Sequence, residues 1–510
     1  MNAAVMDILI ASHHVVVTNM LPQAKRIVES FCMEYAERSY VPKYDGSVDV
    51  RLVRVYATRT KDRSEFRFHI NQYPKLLEFF KYQGFGIESF NVSYRPMFKP
   101  KRNKIQEKFQ PRKSQPLVVN HLTSPGKQKV VTLQTGGGKT FCALYAAIKV
   151  GSRMVISVSG MYVDVWLAAL HGSKSVVKIK QKDIMVVRGG KALAALIELA
   201  LNDEIEQSVI IITQGTLRQF IDHYEQYNRE MMYYQCRPDE LYELLGAGIR
   251  LIDEVHEDFH FNFRQDLYTH IESTWSLTAT LKSDNRMTDR MYNEVFIPDS
   301  KMPEIEYSKY AHLTALNYGL TDLKSVRTSE RGSFMYSHNA YERSIMANKK
   351  LLAKYLEMIR SIVYEIYITK MKPGQRLLIY AATVAMCEAI QKDLGATYDL
   401  VVGKYTSDDD YSVLQSSDIA VSTLQSAGTG VDIEGLCYVL MTNSVKSIQS
   451  NLQAFGRLRD IRDKWPGTEL HFYYLVCRDI PKHLEYDFRK REIFSNKALS
   501  HRSLETPHRL

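Results

Sequence analysis

The stretch LQTGGGKT, from Leu133 to Thr140, runs three consecutive glycines into a lysine and a threonine. Glycine lets backbone N–H groups approach phosphate oxygens closely at the start of a helix. In such a loop Lys139 reaches the outer phosphates of a nucleotide, and the hydroxyl of Thr140 coordinates Mg²⁺. The residues whose backbone would form the cradle are Thr135, Gly136, Gly137 and Gly138. A flexible strand-to-helix turn is the alternative interpretation.

A pair of adjacent carboxylates follows in the stretch LIDEVHED, at Asp253 and Glu254. They stand at the end of an apolar run, downstream of the glycine-rich stretch. A carboxylate at such a strand end can hold Mg²⁺ through water, while its neighbour polarises the water that attacks a γ-phosphate. The alternative is an exposed acidic loop, but the position after a buried strand favours the catalytic interpretation. Thr278 and Thr280 in SLTATL mark a further strand end that could link this site to a neighbouring lobe.

The second half of the chain carries two more polar stretches, STLQSAGTGVDIEGL and QAFGRLRDIR. An arginine supplied from a facing lobe can stabilise the charge that develops during phosphoryl transfer. Arg457 and Arg459 are the candidates for this role, and a basic helix face is the alternative. The other candidate residues in these stretches are Thr423, Gly430, Asp432 and Gln453.

Alternating strands and helices position these residues. From about residue 129 onward, short β-branched runs alternate with helical stretches, which indicates parallel sheets covered on both faces. The strand-like runs lie at 154–159, 209–213, 248–253, 275–280, 376–382, 418–424, 437–442 and 470–476. They form two series divided around residues 297–345, which predicts two α/β lobes. The first hundred residues suggest a small, separate α+β unit.

Composition narrows the class of protein. The chain has 510 residues with 45% hydrophobic residues, which is ordinary for a globular protein of several domains. We find no apolar run of about 18 residues and no convincing signal peptide, so neither a membrane partner nor secretion is expected. The six cysteines include no CxxC pair, which argues against a zinc site or disulfide scaffold and suits a reducing cytoplasm.

The net charge of +10 is partly concentrated between Arg95 and Lys113. This basic run holds eight basic residues and the single acid Glu107. Two interpretations stay open for it: a solvated linker, or a contact with a nucleic-acid phosphate backbone.

Taken in order, LQTGGGKT, DEVH, SLTAT, STLQSAGTGVDI and QAFGRLRD resemble motifs I, II, III, V and VI of the superfamily 2 helicases. The segment PRKSQPLVVNHL resembles the stretch before motif I in restriction-type helicases, which places Gln115 as the adenine-reading glutamine. VISVSGMYVDVWLAAL and VIIITQGTL are similar to motifs Ia and Ib. The N-terminal YVPKYDGSVDVRLVRVY and FHINQYPKLLEFFKYQGFGIE are similar to the small head of the UvsW-type phage DNA helicases.

The resemblance implies two tandem RecA-like lobes with parallel sheets, preceded by a small α+β head. It implies ATP and Mg²⁺ as cofactors, with Thr140 and Asp253 at the metal. Gly430, Asp432 and Gln453 would contribute to the nucleotide site from the second lobe. Asp460 stands where motif VI of the family has its second arginine, so that finger is Arg459 or Arg462.

By this resemblance the chain would be an ATP-dependent DNA helicase or translocase for forked and recombination-type DNA, with little sequence preference. It would act as a monomer in a bacterial cytoplasm and be encoded by a phage. Thr423 and the segment 213–216 would grip the nucleic-acid backbone. An RNA helicase, and a nucleic-acid remodelling protein with weak hydrolysis, are the alternatives.

We expect a head, two lobes, a connection and a tail, with the head selecting the DNA substrate and separable from the motor. The bounds are 1–97 for the head, 98–297 for the ATP-binding first lobe, 298–345 for the interlobe connection, 346–478 for the second lobe and 479–510 for a C-terminal helical tail.

Overall fold

A computed structural model gives the fold of the chain. It describes residues 4–510 except 43–46, 113, 134–136, 228, 230–232, 284, 304–308, 334, 407–408, 411, 428–432, 462–464 and 496. The chain divides into two compact units, Met1–Glu304 and Ile305–Leu510. The first unit holds both the head and the first lobe.

The head is a mixed sheet with two helices. Its elements are β1 (Met6–Ile10), β2 (His14–Thr18), α1 (Pro22–Glu34), β3 (Ala36–Pro42), β4 (Val48–Val55), β5 (Thr58–Arg59), β6 (Phe66–His69), α2 (Tyr73–Tyr82) and β7 (Phe90–Tyr94). The sheet has the order β5-β6-β2-β1-β7, in which only the β1–β7 pair is parallel. β3 and β4 form a separate antiparallel hairpin.

The first lobe follows with alternating strands and helices. Its elements are β8 (Gln106–Glu107), α3 (Gln115–Thr123), β9 (Gln128–Thr132), α4 (Lys139–Val150), β10 (Met154–Val158), α5 (Val163–Leu170), β11 (Val177–Lys178), β12 (Ile184–Val187), α6 (Gly190–Leu201), β13 (Val209–Thr213), α7 (Gln214–Gln226), α8 (Leu241–Leu244), β14 (Ile249–Ile252), α9 (Phe259–Asp266), β15 (Ser273–Thr278) and α10 (Arg286–Val295). The main sheet is parallel throughout, in the order β12-β13-β10-β14-β15-β9.

The second unit has the same alternation. Its elements are β16 (Ala311–Gly319), α11 (His338–Ala347), α12 (Lys349–Val363), β17 (Arg376–Ala381), α13 (Val384–Thr397), β18 (Val402–Tyr405), α14 (Ser412–Ser416), β19 (Ile419–Thr423), α15 (Leu424–Ala427), β20 (Leu436–Met441), α16 (Ile448–Phe455), β21 (Leu470–Cys477), α17 (Pro481–Phe494) and β22 (Ala498–Arg509). The parallel sheet has the order β18-β19-β17-β20-β21-β16-β22.

These sheets confirm the predicted fold class, an α/β chain with two parallel sheets and a small α+β head. The central strands are rich in β-branched and other apolar residues, and all five residues of β10 and of β13 are buried. A strand buried on both faces has this composition when helices cover both sides of the sheet. Each run of apolar residues that the sequence marks as a strand is a strand of one of the two parallel sheets.

Two boundary regions differ from the sequence prediction. The segment 298–345, expected as a connection, contains β16, which pairs with β21 inside the sheet of the second unit. The tail from residue 479 is helical only as far as α17. Its last part is β22, which lies parallel to β16 at the edge of the same sheet.

The head and the first lobe share one apolar core. A continuous cluster of buried side chains includes Phe31 and Phe68 of the head together with Phe263 and Tyr292 of the lobe. The ring of Tyr56 packs edge-on against Phe263, with 5.1 Å between the ring centroids. The core of the second unit is a separate cluster. Among the described residues, no helix has the length and apolar character needed to cross a membrane.

Candidate nucleotide-binding site

The glycine-rich stretch joins β9 to α4, as the sequence predicts. Leu133, directly after β9, donates its backbone N–H to the carbonyl of Thr278 at 3.0 Å. Gly138 precedes α4 in the left-handed region, with φ at +85°. Glycine adopts this conformation without the strain that a Cβ causes, so the helix can begin abruptly at Lys139. Thr135 and Gly136 lie outside the described residues.

Gln115 lies directly over this turn. A Cβ built on Gly138 would lie 2.5 Å from the Gln115 Nε2 atom. Gln115 is the first residue of α3, and its Oε1 atom accepts a hydrogen bond of 2.8 Å from the backbone N–H of Arg112. The structure therefore brings the predicted adenine-reading glutamine to the glycine-rich turn, and a side chain at residue 138 would require the end of Gln115 to move.

Lys139 reaches the carboxylate pair across the sheet. Its Nζ atom lies 3.1 Å from Oε1 of Glu254. β15 separates β9 from β14 in the sheet, so the two strands are roughly 10 Å apart. A lysine side chain is long enough to span that gap. Both side chains are largely buried, at 11% and 18% exposed, so their attraction is screened less by salt than that of a surface pair.

Asp253 is held in a fixed orientation. Its Oδ2 atom accepts a hydrogen bond of 2.8 Å from the indole N–H of Trp166, and its Oδ1 atom accepts one of 3.0 Å from the backbone of Glu254. Burial raises the pKa of the Asp253 carboxyl and the adjacent Glu254 carboxylate raises it further, whereas Lys139 opposes the rise. A bound cation would favour the ionised form of such a carboxyl.

The backbone of Glu254 is strained. Its φ is +46°, in the left-handed region that non-glycine residues rarely adopt. The next residue, Val255, donates its N–H to the carbonyl of Leu277 at 3.0 Å, and Glu257 donates to the Glu254 carbonyl at 2.9 Å. These bonds hold the turn in place. Strain of this kind costs of order 1–3 kcal/mol and concentrates at functional sites, where it aims a side chain.

His256 links the carboxylate pair to the next strand. Its Nδ1 atom lies 2.7 Å from the Thr278 hydroxyl and 3.3 Å from Oε2 of Glu254. Burial lowers the pKa of His256, although Glu254 opposes this effect. The Thr278 hydroxyl also accepts a hydrogen bond of 3.1 Å from the backbone of Thr280. The sequence prediction placed Thr278 and Thr280 here and included His256 only as part of the DEVH motif, without a role. It did not include Trp166, because its partner Asp253 is distant in sequence.

The residues present fit a magnesium ion. Thr140 is the second residue of α4, next to Lys139, and Asp253 lies beside Glu254, which Lys139 contacts. Mg²⁺ is usually held by one or two carboxylates together with substrate phosphates and water, rather than by a protein cage. Thr140 and Asp253, together with nucleotide phosphates and water, would supply such a set of oxygen ligands.

The segment 213–216 lies at the same edge of the sheet, but its hydroxyls are engaged within the protein. Thr213 caps α7, and its hydroxyl lies 2.7 Å from that of Thr216. The Thr216 hydroxyl also accepts a hydrogen bond of 2.7 Å from the backbone of Gly189. Both threonines are buried. A nucleic-acid contact here would therefore have to use backbone N–H groups.

In the second unit, three of the predicted site residues lie at or just after α16. Gln453 is on α16 and half-buried. Arg457 is only 5% exposed, whereas Arg459 is half-buried. Burial raises the pKa of the Tyr380 phenol on β17, and the nearby charge of Arg457 opposes that rise. Gly430, Asp432 and Arg462 lie outside the described residues.

A cavity of about 530 Å³ opens at the carboxyl ends of the strands in the second unit. Thr423 lines it, with its hydroxyl 2.9 Å from that of Ser426. Below it, the buried carboxylate of Glu342 accepts hydrogen bonds of 2.8 Å from the backbone N–H groups of Ala382 and Thr383. This contact fixes the turn that starts α13, and the sequence prediction did not include it.

Comparison with known proteins finds likeness only among solved structures. No protein-family model matches the chain, and no curated protein matches it. The chain is similar to Mss116p bound to ssRNA and AMP-PNP, at 15% identity over 77% of this chain and 74% of that one, with a TM-score of 0.47. It is also similar to a putative HsdR subunit of a type I restriction enzyme from Vibrio vulnificus YJ016, at 12% identity over 95% and 82% of the two chains, with a TM-score of 0.49.

T4 UvsW is similar over 98% of this chain and 99% of its own, at 12% identity with a TM-score of 0.33. With TM-scores below 0.5, these likenesses add nothing to what the strand order and the site of this chain show by themselves.

Proposed function

We propose that the chain is an ATP-dependent DNA helicase or translocase that acts on forked and recombination-type DNA. The observation that carries the proposal is the contact between Lys139 of the glycine-rich turn and Glu254 of the carboxylate pair. It joins a phosphate-binding element to a catalytic carboxylate at the carboxyl ends of a parallel sheet, where ligands of open α/β sheets bind.

In the proposed reaction the N–H groups at the start of α4 bind the phosphates, and Lys139 turns from Glu254 to the outer phosphates. Glu254, aimed by its strained backbone and by His256, orients the water that attacks the γ-phosphate. Mg²⁺, held by Thr140 and Asp253, would neutralise charge on the phosphate oxygens. Gln115 reads the adenine.

From the second unit, Arg457 and Arg459 supply positive charge, and Gln453, Gly430 and Asp432 contribute to binding.

Hydrolysis is proposed to change how the two lobes hold a nucleic-acid strand, so that repeated cycles move the protein along the backbone. The contacts are to phosphates, which carry no base information. The carboxyl-end loops that include Thr423 in the second unit and the start of α7 in the first are the proposed grip.

The test is the ATPase rate with single-stranded DNA, duplex DNA, forked DNA and RNA as stimulants. We expect forked DNA to stimulate most. The matched control is Glu254→Gln, which should bind ATP but show no stimulated turnover. Strong stimulation by RNA alone would make the chain an RNA helicase. Turnover below detection with every nucleic acid would favour a remodelling or binding protein instead.

A further inference from the structure

A basic groove lies in the first unit, apart from the nucleotide site. It has a volume of about 750 Å³ and is lined by one acid, Asp183, and by five lysines. The lysines are Lys104, Lys108, Lys178, Lys180 and Lys182. The first two belong to the basic run between Arg95 and Lys113, and the other three to a second lysine-rich segment at 174–182 that the sequence prediction did not single out.

The two segments are held side by side by regular structure. β8 and β11 pair antiparallel, with Gln106 opposite Lys178. Lys108 donates hydrogen bonds to the carbonyl and hydroxyl of Ser175, at 2.8 and 2.9 Å. Ile105 and Val177 anchor the pair in the core. The basic run is therefore not a free linker, because it forms part of a built surface.

The charge of this groove is mostly uncompensated. Lys178, Lys180 and Lys182 are exposed, and none of their ammonium groups is paired with a side chain in the described part of the chain. Lys104 is paired, with its Nζ atom 3.0 Å from Oδ1 of Asp183. Like charges gathered on one surface repel each other, and that cost is offset when a polyanion binds and releases its counterions.

The groove lies at the opposite edge of the sheet from the nucleotide site. The backbone carbonyl of Lys101 accepts a hydrogen bond of 2.7 Å from the backbone N–H of Arg153, the residue directly before β10. The backbone N–H of Lys104 donates to the hydroxyl of Ser208, the residue directly before β13. The segment thus crosses the amino ends of the strands, whereas Lys139 and Asp253 lie at carboxyl ends. A strand of five residues separates the two edges by roughly 16 Å.

We infer that this groove is a second nucleic-acid surface, which binds the phosphate backbone of a duplex DNA arm. The choice of DNA as the polyanion rests on the proposed function. Lysine ammonium groups bind phosphates as point charges. The described residues that line the groove include no Phe, Tyr or Trp, whereas proteins that bind single strands stack bases on such side chains. A fork offers duplex arms as well as single strands, so the groove would hold an arm while the carboxyl-end loops hold the translocated strand.

The test changes Lys178, Lys180 and Lys182 together to Gln in the full-length protein. The matched control removes the same charge from α12 by changing Lys349, Lys350 and Lys354 to Gln, since these are exposed and have no ion pair among the described residues. Binding of a blunt DNA duplex and of a single strand of equal length is measured by fluorescence anisotropy across a salt series, without ATP. All six lysines are exposed, and equal thermal unfolding of both variants and the parent checks that the fold is unchanged.

For the groove variant, we expect weaker duplex binding. The slope of the logarithm of the binding constant against the logarithm of the salt concentration should also be shallower. The change is about 0.9 for each phosphate that a lysine no longer neutralises, up to about 2.7. Single-strand binding and the ATPase rate without nucleic acid should match the control variant. Duplex binding and a salt slope equal to those of the control would overturn the inference, as would an equal weakening for single strands. A parent protein that lacks ATPase activity would contradict the proposed function but leave this binding test valid.

Discussion

The Nζ atom of Lys139 lies 3.1 Å from Oε1 of Glu254, so the proposed phosphate-binding cation and the proposed catalytic carboxylate form an ion pair. Both are largely buried, and removing one partner of such a pair leaves the other charge uncompensated. A nucleotide phosphate can replace Glu254 as the partner of Lys139. In the proposed reaction this exchange frees the Glu254 carboxylate to orient the attacking water.

This exchange predicts different results for the two partners. Lys139→Ala should weaken ATP binding, because the phosphates lose their cation and Glu254 adds repulsion. Glu254→Gln should bind ATP at least as tightly as the parent, because the competing carboxylate is gone, yet turnover should fall below detection. Binding of a fluorescent ATP analogue and the steady-state ATPase rate check both. Parent-like turnover in Glu254→Gln would show that another group activates the water.

The contact between Gln115 and Gly138 predicts that the glycine cannot be replaced. Gly138→Ala combines a left-handed φ with a Cβ 2.5 Å from Gln115 Nε2, so ATP affinity should fall sharply. Adding Gln115→Ala removes the collision, but it also removes the proposed adenine contact and leaves the backbone strain, so ATP affinity should not recover. Gly172, which also has a positive φ but has open space around it, gives the control variant Gly172→Ala. Full recovery in the double variant would mean that neither the backbone strain at residue 138 nor an adenine contact by Gln115 contributes to ATP affinity.

The strands, and the strand ends that carry the candidate site residues, could be predicted from sequence, because both depend on local patterns. A buried parallel strand requires a continuous apolar run, and polar residues directly after such a run come to one edge of the sheet. Asp253 after β14 and Thr278 at the end of β15 follow this rule. Lys139, which begins the helix after a glycine-rich turn, follows the corresponding rule for a phosphate loop.

Other features could not be predicted, because their residues lack a local signal. β22 has the sequence ALSHRSLETPHR, which is charged and contains Pro507. An edge strand tolerates both, since one side of it faces solvent.

The contacts of Trp166 with Asp253 and of His256 with Thr278 join residues that are far apart in the chain. Pairings of this kind are set by tertiary packing alone.

Arg457 is predicted to act on the transferred phosphate from the second unit. Arg457→Ala should leave ATP affinity nearly unchanged and slow hydrolysis by about 10³-fold or more, the low end for an arginine finger. Because Arg457 is buried, urea unfolding must show that the variant is folded, and Arg457→Lys tests whether charge alone suffices. Arg489→Ala on α17 is the control. If Arg459→Ala abolishes turnover and Arg457→Ala does not, the finger is Arg459.

Buried histidines are predicted to make the stability of the first unit depend on pH. Burial lowers the pKa of His13 from 6.5 to about 3; Asp266 opposes this, while Arg250, His69 and Lys127 add to it. Between about pH 3 and pH 6.5, His13 therefore binds a proton in the unfolded chain but not in the folded chain. The contribution of neutral His13 to the free energy of unfolding is complete above about pH 6.5. As the pH falls towards 3, the free energy of unfolding decreases by up to about 1.4 kcal/mol per pH unit.

Urea unfolding of the chain between about pH 7.5 and about pH 5 measures this loss. His13→Asn keeps a polar group beside Ser12 but cannot titrate, so its stability should depend less on pH than that of the parent. His508→Asn, at a half-buried position on β22, should behave like the parent. An unchanged pH dependence in His13→Asn would assign the effect to other groups, of which the buried His14 is the first to test, since burial lowers its pKa as well.

The head is built into the first lobe, so we predict, against the expectation from sequence, that its removal harms the motor. Arg67 of β6 forms a buried ion pair with Asp239 of the lobe, with 3.3 Å between Nη1 and Oδ2. The Asn71 amide donates hydrogen bonds to the carbonyls of Glu294 and Val295, at 3.1 and 2.9 Å. Deleting the head would leave these lobe groups without partners and would open the shared core.

Removing one partner of a buried ion pair typically costs about 3–5 kcal/mol. Arg67→Ala should therefore lower the free energy of unfolding of the first unit by that order, as measured by urea unfolding. Arg51→Ala removes an arginine from an exposed pair with Asp49 on the head hairpin, and it should change stability by less than about 1 kcal/mol. We also expect a protein that begins at Phe98 to lose soluble expression or ATPase activity. If that truncated protein keeps full nucleic-acid-stimulated ATPase activity, and if Arg67→Ala is as stable as Arg51→Ala, the head is instead an independent accessory domain.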